Sequence, residues 1–230
     1  MIYTSLKPSV DIPSVDLHTY LFAPEFARPS DSPSNLSIVD AARLPSDSIS
    51  QADVYRLSGE LGAGLTKMWL QGITPIAPVH PLDLAALPYI PSEEEEKVSV
   101  AIFSPNTTSF ALALLACLSS PLGIIATLAS SSYHAEDLLY QLQDARAGIV
   151  LVHPSLLSVV EEALKDQAQG WRERVFILGD SLDEPRIAGF KDFSELRVGG
   201  EEGSRLRQGV RPRADDVAFL CYSSGTVSTK

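Results

Sequence analysis

Apolar residues follow two spacings along this chain. Between residues 50 and 70, "SQADVYRLSGELGAGLTKMWL", Val54, Leu57, Leu61, Leu65, Met68 and Trp69 recur at helical intervals, and Ser50 stands where an N-cap hydroxyl is wanted. This spacing predicts an amphipathic helix with its stripe against a core. From residue 98 the pattern changes to short runs of Val, Ile and Leu without polar alternation: "VSVAIF" (98–103), "GIIATLA" (123–129), "GIVLVH" (148–153) and "RVFILG" (174–179). Strands covered on both faces read this way. Between them lie "TTSFALALLACL" (107–118, capped by Thr107 or Asn106), "SYHAEDLLYQLQDA" (132–145, with Leu138, Leu139 and Leu142 among its apolar positions) and "PSLLSVVEEALKDQA" (154–168, Pro154 at an early position). Single helices between strands define βαβ units. The expected class is therefore α/β, a mainly parallel sheet with flanking helices.

The other segments lack periodicity. Residues 1–49 begin with Pro- and Ser-rich chain and read as an extended surface segment anchored by Val15, Leu17, Tyr20, Leu21 and Phe22. Residues 72–97 read as an irregular connection; in it the acidic run Glu93–Glu96 is a solvated loop and His80 has a surface or packing role. Residues 180–214 read as an exposed connection with one short element, "KDFSEL". Asp215 and Asp216 then lead into a last strand, "VAFLCY" (217–222). The expected division is 1–49 as the surface segment and 50–230 as the α/β domain.

Composition narrows the function classes. The chain has 230 residues, 45% of them hydrophobic, which suits a packed globular core. Eighteen Lys and Arg against 29 Asp and Glu give a net charge of −11, which argues against nucleic acid or an anionic membrane surface as partner. Cys117 and Cys221 lie in apolar runs and read as buried free thiols, and no CxxC or His/Cys spacing suggests a metal site. The first residues carry no secretory pattern. The apolar stretch Phe110–Ala129 is interrupted by Ser119, Ser120, Pro121 and Gly123, so it reads as helix, turn and strand rather than a membrane span. A cytoplasmic protein is expected. His134 and His153 border predicted elements and read as structural, and no Ser-His-Asp order or GxSxG elbow gives a serine nucleophile. No catalytic residue is assigned.

The chemistry is concentrated at the end of the chain. After the last strand comes "SSGT" (223–226): Gly225 permits a tight turn, Ser223, Ser224 and Thr226 offer hydroxyls, and Lys230 adds a positive charge. Neither GxxxxGK[ST] nor GxGxxG is present. "DDVAFLCYSSGT" resembles the strand and phosphate loop of the adenylate-forming (AMP-binding) superfamily, whose motif reads [YF]-[ST]-[ST]-G-[ST]-T-G-x-P-K; Tyr222 to Thr226 match its first five places. "VAIFSPNTTSFALALLACL" resembles that superfamily's strand, "PN" turn and helix. "ASSSYHAEDLLYQLQDARAGIVLVHPSLL" resembles its "NPxYTxxELxxQLxDSGAKxLxTHPSLL" stretch. The opening "IYTSLKPSVDIPSVDLHTYLF" resembles the starts of fungal 4-coumarate–CoA-ligase-like proteins.

The resemblance implies an acyl- or aryl-CoA ligase, of which this chain is the N-terminal part. Such enzymes use Mg2+ and ATP to convert a carboxylic acid to an acyl-adenylate, which coenzyme A then captures as a thioester. Ser223, Ser224, Gly225, Thr226 and Lys230 would hold the ATP phosphates. The motif is not followed to its end: in register Val227 stands for Thr, Ser228 for Gly and Lys230 for Pro, whereas a one-residue shift places Lys230 on the motif lysine. The superfamily's adenine- and acyl-binding parts and its small C-terminal domain follow this loop. The expectation is thus an incomplete AMP-binding domain, inactive alone, with peroxisomal targeting open for a longer product. The alternative is a non-catalytic relative that acts, if at all, as a binding protein.

Overall fold

A computed structural model describes residues 13–23, 36–39, 48–77, 99–167, 170–182, 187–208, 212 and 216–222. His80, Glu93–Glu96 and Asp215 lie outside these residues. The centre is a six-stranded sheet in the order β7-β6-β5-β3-β4-β8, every neighbouring pair parallel. Its strands are β3 (Ser99–Phe103), β4 (Ile125–Ala129), β5 (Ala147–Val152), β6 (Val175–Ile177), β7 (Lys191–Asp192) and β8 (Phe219–Cys221). The connections run through α3 (Thr108–Ser119), α4 (Ala135–Asp144) and α5 (Leu157–Leu164), and α6 (Gly200–Leu206) lies between β7 and β8. The α/β sheet with flanking helices expected from the apolar runs is what the chain forms.

The side-chain period of two divides the core. Val100, Ile102, Ile149, Leu151 and Phe176 face a cluster with Leu61, Leu65, Leu112 and Ala116. Ala101, Phe103, Val150, Val152 and Ile177 face the opposite cluster, with Leu138, Leu142, Val160 and Leu164. Thus α2 (Gln51–Leu70) and α3 cover one face, and α4 and α5 cover the other. At the start of α2 Ser50 acts as N-cap, its Oγ accepting from Asp53 N at 3.1 Å.

The first segment departs from expectation. Leu17–Phe22 forms a helix, α1, and β1 (Leu36–Val39) pairs antiparallel with β2 (Ser48–Ser50). Of the expected anchors, Phe22 packs against the core cluster, but Leu17, Tyr20 and Leu21 are 41–48% exposed. His18 is buried instead; its Nε2 lies 3.4 Å from Ser58 Oγ and its ring stacks on Tyr55. The Asp16 carboxylate caps this helix, its Oδ1 accepting from Thr19 N at 2.9 Å. Residues 180–214 also hold more than one short element. "KDFSEL" becomes β7 and a 3-10 turn at Phe193–Leu196, and α6 follows. Residues 154–156 form a 3-10 turn ahead of α5.

Cys117 is buried and its thiol is pushed up to about 12 by burial. Cys221 is exposed, against the sequence expectation, because among the described residues β8 pairs only with β4 and lies at the edge of the sheet.

Two local features make stability predictions. Glu60 on α2, 17% exposed, accepts from Arg56 Nη1 at 3.2 Å and from Arg197 Nη2 at 2.8 Å. Burial opposes its ionisation, but hydrogen bonds from Arg197 and Arg56 outweigh it and hold the carboxyl below its ordinary range. A depressed carboxyl stabilises above its unfolded pKa and loses that effect as pH falls through the folded value. Glu60→Gln is expected to cost about 1 kcal/mol at pH 7, and the gap to wild type should close under acid conditions. Urea unfolding at pH 7 and pH 3 checks this; an equal loss at both would contradict it. Arg146, in the turn between α4 and β5, has φ +50°, a left-handed conformation that side chains resist. Its Nε is buried without a partner. Arg146→Gly should raise stability by about 0.5–1 kcal/mol, and a lower Tm would contradict the reading.

Candidate functional site: the cleft at the ends of β3, β4 and β8

In a parallel sheet the C-terminal strand ends share one edge, and ligand crevices form there. A cleft of about 520 Å³ opens at this edge. Ser104, Pro105 and Asn106 wall it where the chain leaves β3, and Ser130, Ser131 and Tyr133 where it leaves β4. Tyr222, directly after β8, closes a third side. Three strand exits converge because β4 lies between β3 and β8.

The cleft is lined by uncharged groups. Ser104 is buried and its hydroxyl donates to Pro105 O at 2.8 Å, which leaves its lone pairs free to accept. Ser130 Oγ and Ser132 Oγ are 2.8 Å apart. Helix α3 begins at the same edge, where Thr107 Oγ1 accepts from Phe110 N at 3.1 Å. Its N-terminal end adds a positive partial charge to this edge, although Ser109 N there already donates to Asp180 O at 3.3 Å.

Tyr222 is fixed by its phenol, which donates to Asp144 Oδ2 at the end of α4. Burial first, and the hydrogen bond to Asp144 second, push the Tyr222 hydroxyl well above its ordinary range, so it stays protonated and remains a donor. One turn earlier Gln141 is buried; its Nε2 donates to Thr127 Oγ1 at 2.7 Å, and Thr127 Oγ1 donates to Leu220 O at 3.3 Å. Thr127, Leu220 and Tyr222 alternate onto the α4 face of the sheet, as the register Thr127↔Leu220 requires.

Ser223, Ser224, Gly225, Thr226 and Lys230 lie outside the described residues; the description ends at Tyr222, on the cleft wall. Sequence reasoning gave no ligand-binding part to Ser104, Asn106, Ser130, Ser131 or Asp144: Asn106 entered only as a possible helix cap, and Ser104 only as a serine without the setting of a nucleophile. The usable signal for the first four was their position after strand ends. His153 follows β5; its Nδ1 accepts from Ser155 N at 3.3 Å, so Nε2 carries the proton and donates to Asp180 at 3.1 Å. The Ser155 bond caps the 3-10 turn at Pro154–Leu156, and the Asp180 bond ties the turn to the segment after β6. His134 is the N-cap residue of α4, its N–H donating to Asp137 Oδ2 at 3.2 Å. Among the described residues no cluster of His, Cys, Asp or Glu could hold a metal ion, and no helix is long and apolar enough to cross a membrane.

Solved structures share this architecture. The anthranilate CoA ligase AuaEII, in complex with anthranoyl-AMP, superposes with a TM-score of 0.62 at 14% identity, over 94% of this chain and 34% of the ligase. A long-chain-fatty-acid-CoA ligase (FadD1) from Archaeoglobus fulgidus gives 0.60 at 18% identity, over 97% and 37%. ATP-bound MatB from Rhodopseudomonas palustris gives 0.55 at 19% identity, over 94% and 33%. This chain therefore spans about a third of the length of these relatives. No curated protein sequence matches it. Residues 94–229, more than half of the chain, match the AMP-binding enzyme family, and with the parallel sheet and its cleft already described, the chain belongs to that family.

Proposed function

We propose that this chain supplies the phosphate-binding part of an acyl- or aryl-CoA ligase of the 4-coumarate–CoA-ligase-like kind. Ser223, Ser224, Gly225, Thr226 and Lys230 cradle the β- and γ-phosphates of ATP beside the cleft at the ends of β3, β4 and β8. The observation that carries the proposal is the convergence of three strand exits and the α3 N-terminus on the point where the loop sequence begins, at Tyr222. Hydroxyls, backbone N–H groups and one lysine provide donors for phosphate oxygens. Mg2+ would arrive with the phosphates rather than in a protein cage, in keeping with its habit of binding through substrate oxygens. When bound, it neutralises charge on the pyrophosphate leaving group. The acid and coenzyme A would be bound mainly by parts of the enzyme that follow the loop. The 230 residues alone should therefore give no ATP–pyrophosphate exchange with any acid.

Equilibrium dialysis with labelled MgATP tests the proposal. The expected result is binding that inorganic tripolyphosphate displaces and adenosine does not. Displacement by adenosine with tripolyphosphate inert, or no binding at millimolar ATP, would overturn it.

A further inference from the structure

At the ends of β4 and β8 away from the cleft, a groove of about 570 Å³ runs between residues 13–20, the C-terminal end of α3 and the chain that enters β8. That volume lies in the range of small-molecule sites. Cys117, Leu118 and Ile124 line its buried part, at 1%, 9% and 3% exposure. Phe219 lines it too and packs against the same core cluster as Cys117 and Ile124. Leu17 and Val217 line the open part and are 41% and 38% exposed. Apolar side chains thus stay in water around an apolar floor, and an apolar occupant would remove them from it.

The groove also carries a charge that the fold does not balance. Asp16 lines it and is only 6% exposed. Its Oδ1 accepts from Thr19 N at 2.9 Å and its Oδ2 from Thr19 Oγ1 at 2.5 Å. Both donors are neutral and both belong to the first turn of α1. Among the described residues no lysine, arginine or histidine pairs with this carboxylate, and no lysine or arginine lines the groove. A carboxylate has about four lone-pair sites, so Asp16 keeps acceptor capacity after capping its helix. A buried carboxylate is costly without a counter-charge, and a cationic occupant would supply one. Asp216, on the same wall, adds a second negative charge.

We propose that this groove binds a small apolar amine. The hydrocarbon body lies on Cys117, Leu118 and Ile124, and the ammonium donates to the remaining lone pairs of Asp16. The carboxylates set the selectivity: they attract an ammonium head and repel an anionic one, whereas the walls reject a small hydrated cation that brings no apolar surface. The inference does not rest on the phosphate reading.

The test titrates the 230-residue chain with phenylbutylamine, phenylbutanol and phenylbutyrate, which share one body and differ in the charge of the head. Backbone amide NMR locates the binding. Expected are shifts centred on Asp16, Leu118, Ile124 and Val217. The amine should bind roughly tenfold or more tightly than the alcohol, the gain that a hydrogen bond between charged groups supplies, and phenylbutyrate should bind weakest. Asp16→Asn keeps an N-capping side chain and should bring the amine down to the affinity of the alcohol. Val217→Trp fills the open part of the groove and should weaken the amine and the alcohol alike. Equal affinity for amine and alcohol, an unchanged preference in Asp16→Asn, or no amine binding at millimolar concentration would overturn the proposal. So would a dimer in sedimentation that Val217→Trp disrupts, since a second copy of the chain would then be the occupant. The wild-type series decides by itself if either variant fails to fold.

Discussion

Replacing Gly64 by alanine is expected to destabilise the protein by about 3 kcal/mol or more, against the usual direction of the change. In an open helix interior, Gly to Ala gains about 1 kcal/mol. Here α2 passes so close to the 3-10 turn at Phe193–Leu196 that a Cβ on Gly64 would lie 1.7 Å from Leu196 O and 2.6 Å from Leu196 C. Both atoms are backbone, so no rotamer change relieves the overlap. The turn has no room to retreat either: Leu196 is buried, Arg197 clamps Glu60, and Val198 N donates to Glu60 O at 3.0 Å. Thermal unfolding should show a Tm lowered by about 6–12 °C for a chain of this size. A Tm within about 2 °C of wild type would mean that the two elements separate easily.

Phe103→Ala should cost about 3–5 kcal/mol. Phe103 is fully buried at the last position of β3, in the cluster with Leu138 and Val152, and its carbonyl accepts from His153 N at 3.0 Å. The next residue, Ser104, is the first in the wall of the cleft. A cavity at Phe103 therefore removes support from the strand end and from the Ser104–Asn106 turn together. Affinity for Mg2+-tripolyphosphate should fall roughly tenfold in the folded variant, whereas Phe103→Leu should cost under about 1.5 kcal/mol and bind normally. Unfolding curves and dialysis on the same samples check both parts. A large stability loss with unchanged phosphate affinity would detach the cleft from phosphate binding.

The sheet was legible because fully buried parallel strands have an unmistakable composition. "VSVAIF" and "GIVLVH" could be little else once helical stretches separated them, and β3 and β5 lie within a residue or two of the expected positions. The helix from Ser50 was equally plain, since cap and stripe agreed. Where the pattern was short, tertiary contacts decided. In α1, apolar Leu17 and Leu21 face outward and His18 faces in, because His18 finds Ser58 and the ring of Tyr55. In Gly200–Leu206, two glycines and two glutamates gave no helical stripe to read. Cys221 looked buried from its apolar neighbours, but its strand lies at the edge.

The candidate site was legible in one part only. Ser223 to Thr226 stood out through a motif resemblance, whereas the cleft beside Tyr222 needed the strand order, which places β8 next to β4 rather than beside β7. Asp144 could not be found from sequence, since nothing in a helix-terminal aspartate announces a phenol from 78 residues away.

The most direct measurement is a backbone amide NMR map of the 230-residue chain titrated with inorganic tripolyphosphate and Mg2+. The account predicts shifts concentrated at Ser104, Asn106, Ser130, Ser131 and Tyr222, together with Ser223 to Thr226. Shifts centred on Leu17, Ile124 and Val217, which line an apolar groove at the opposite ends of β4 and β8, or none at millimolar ligand, would contradict it.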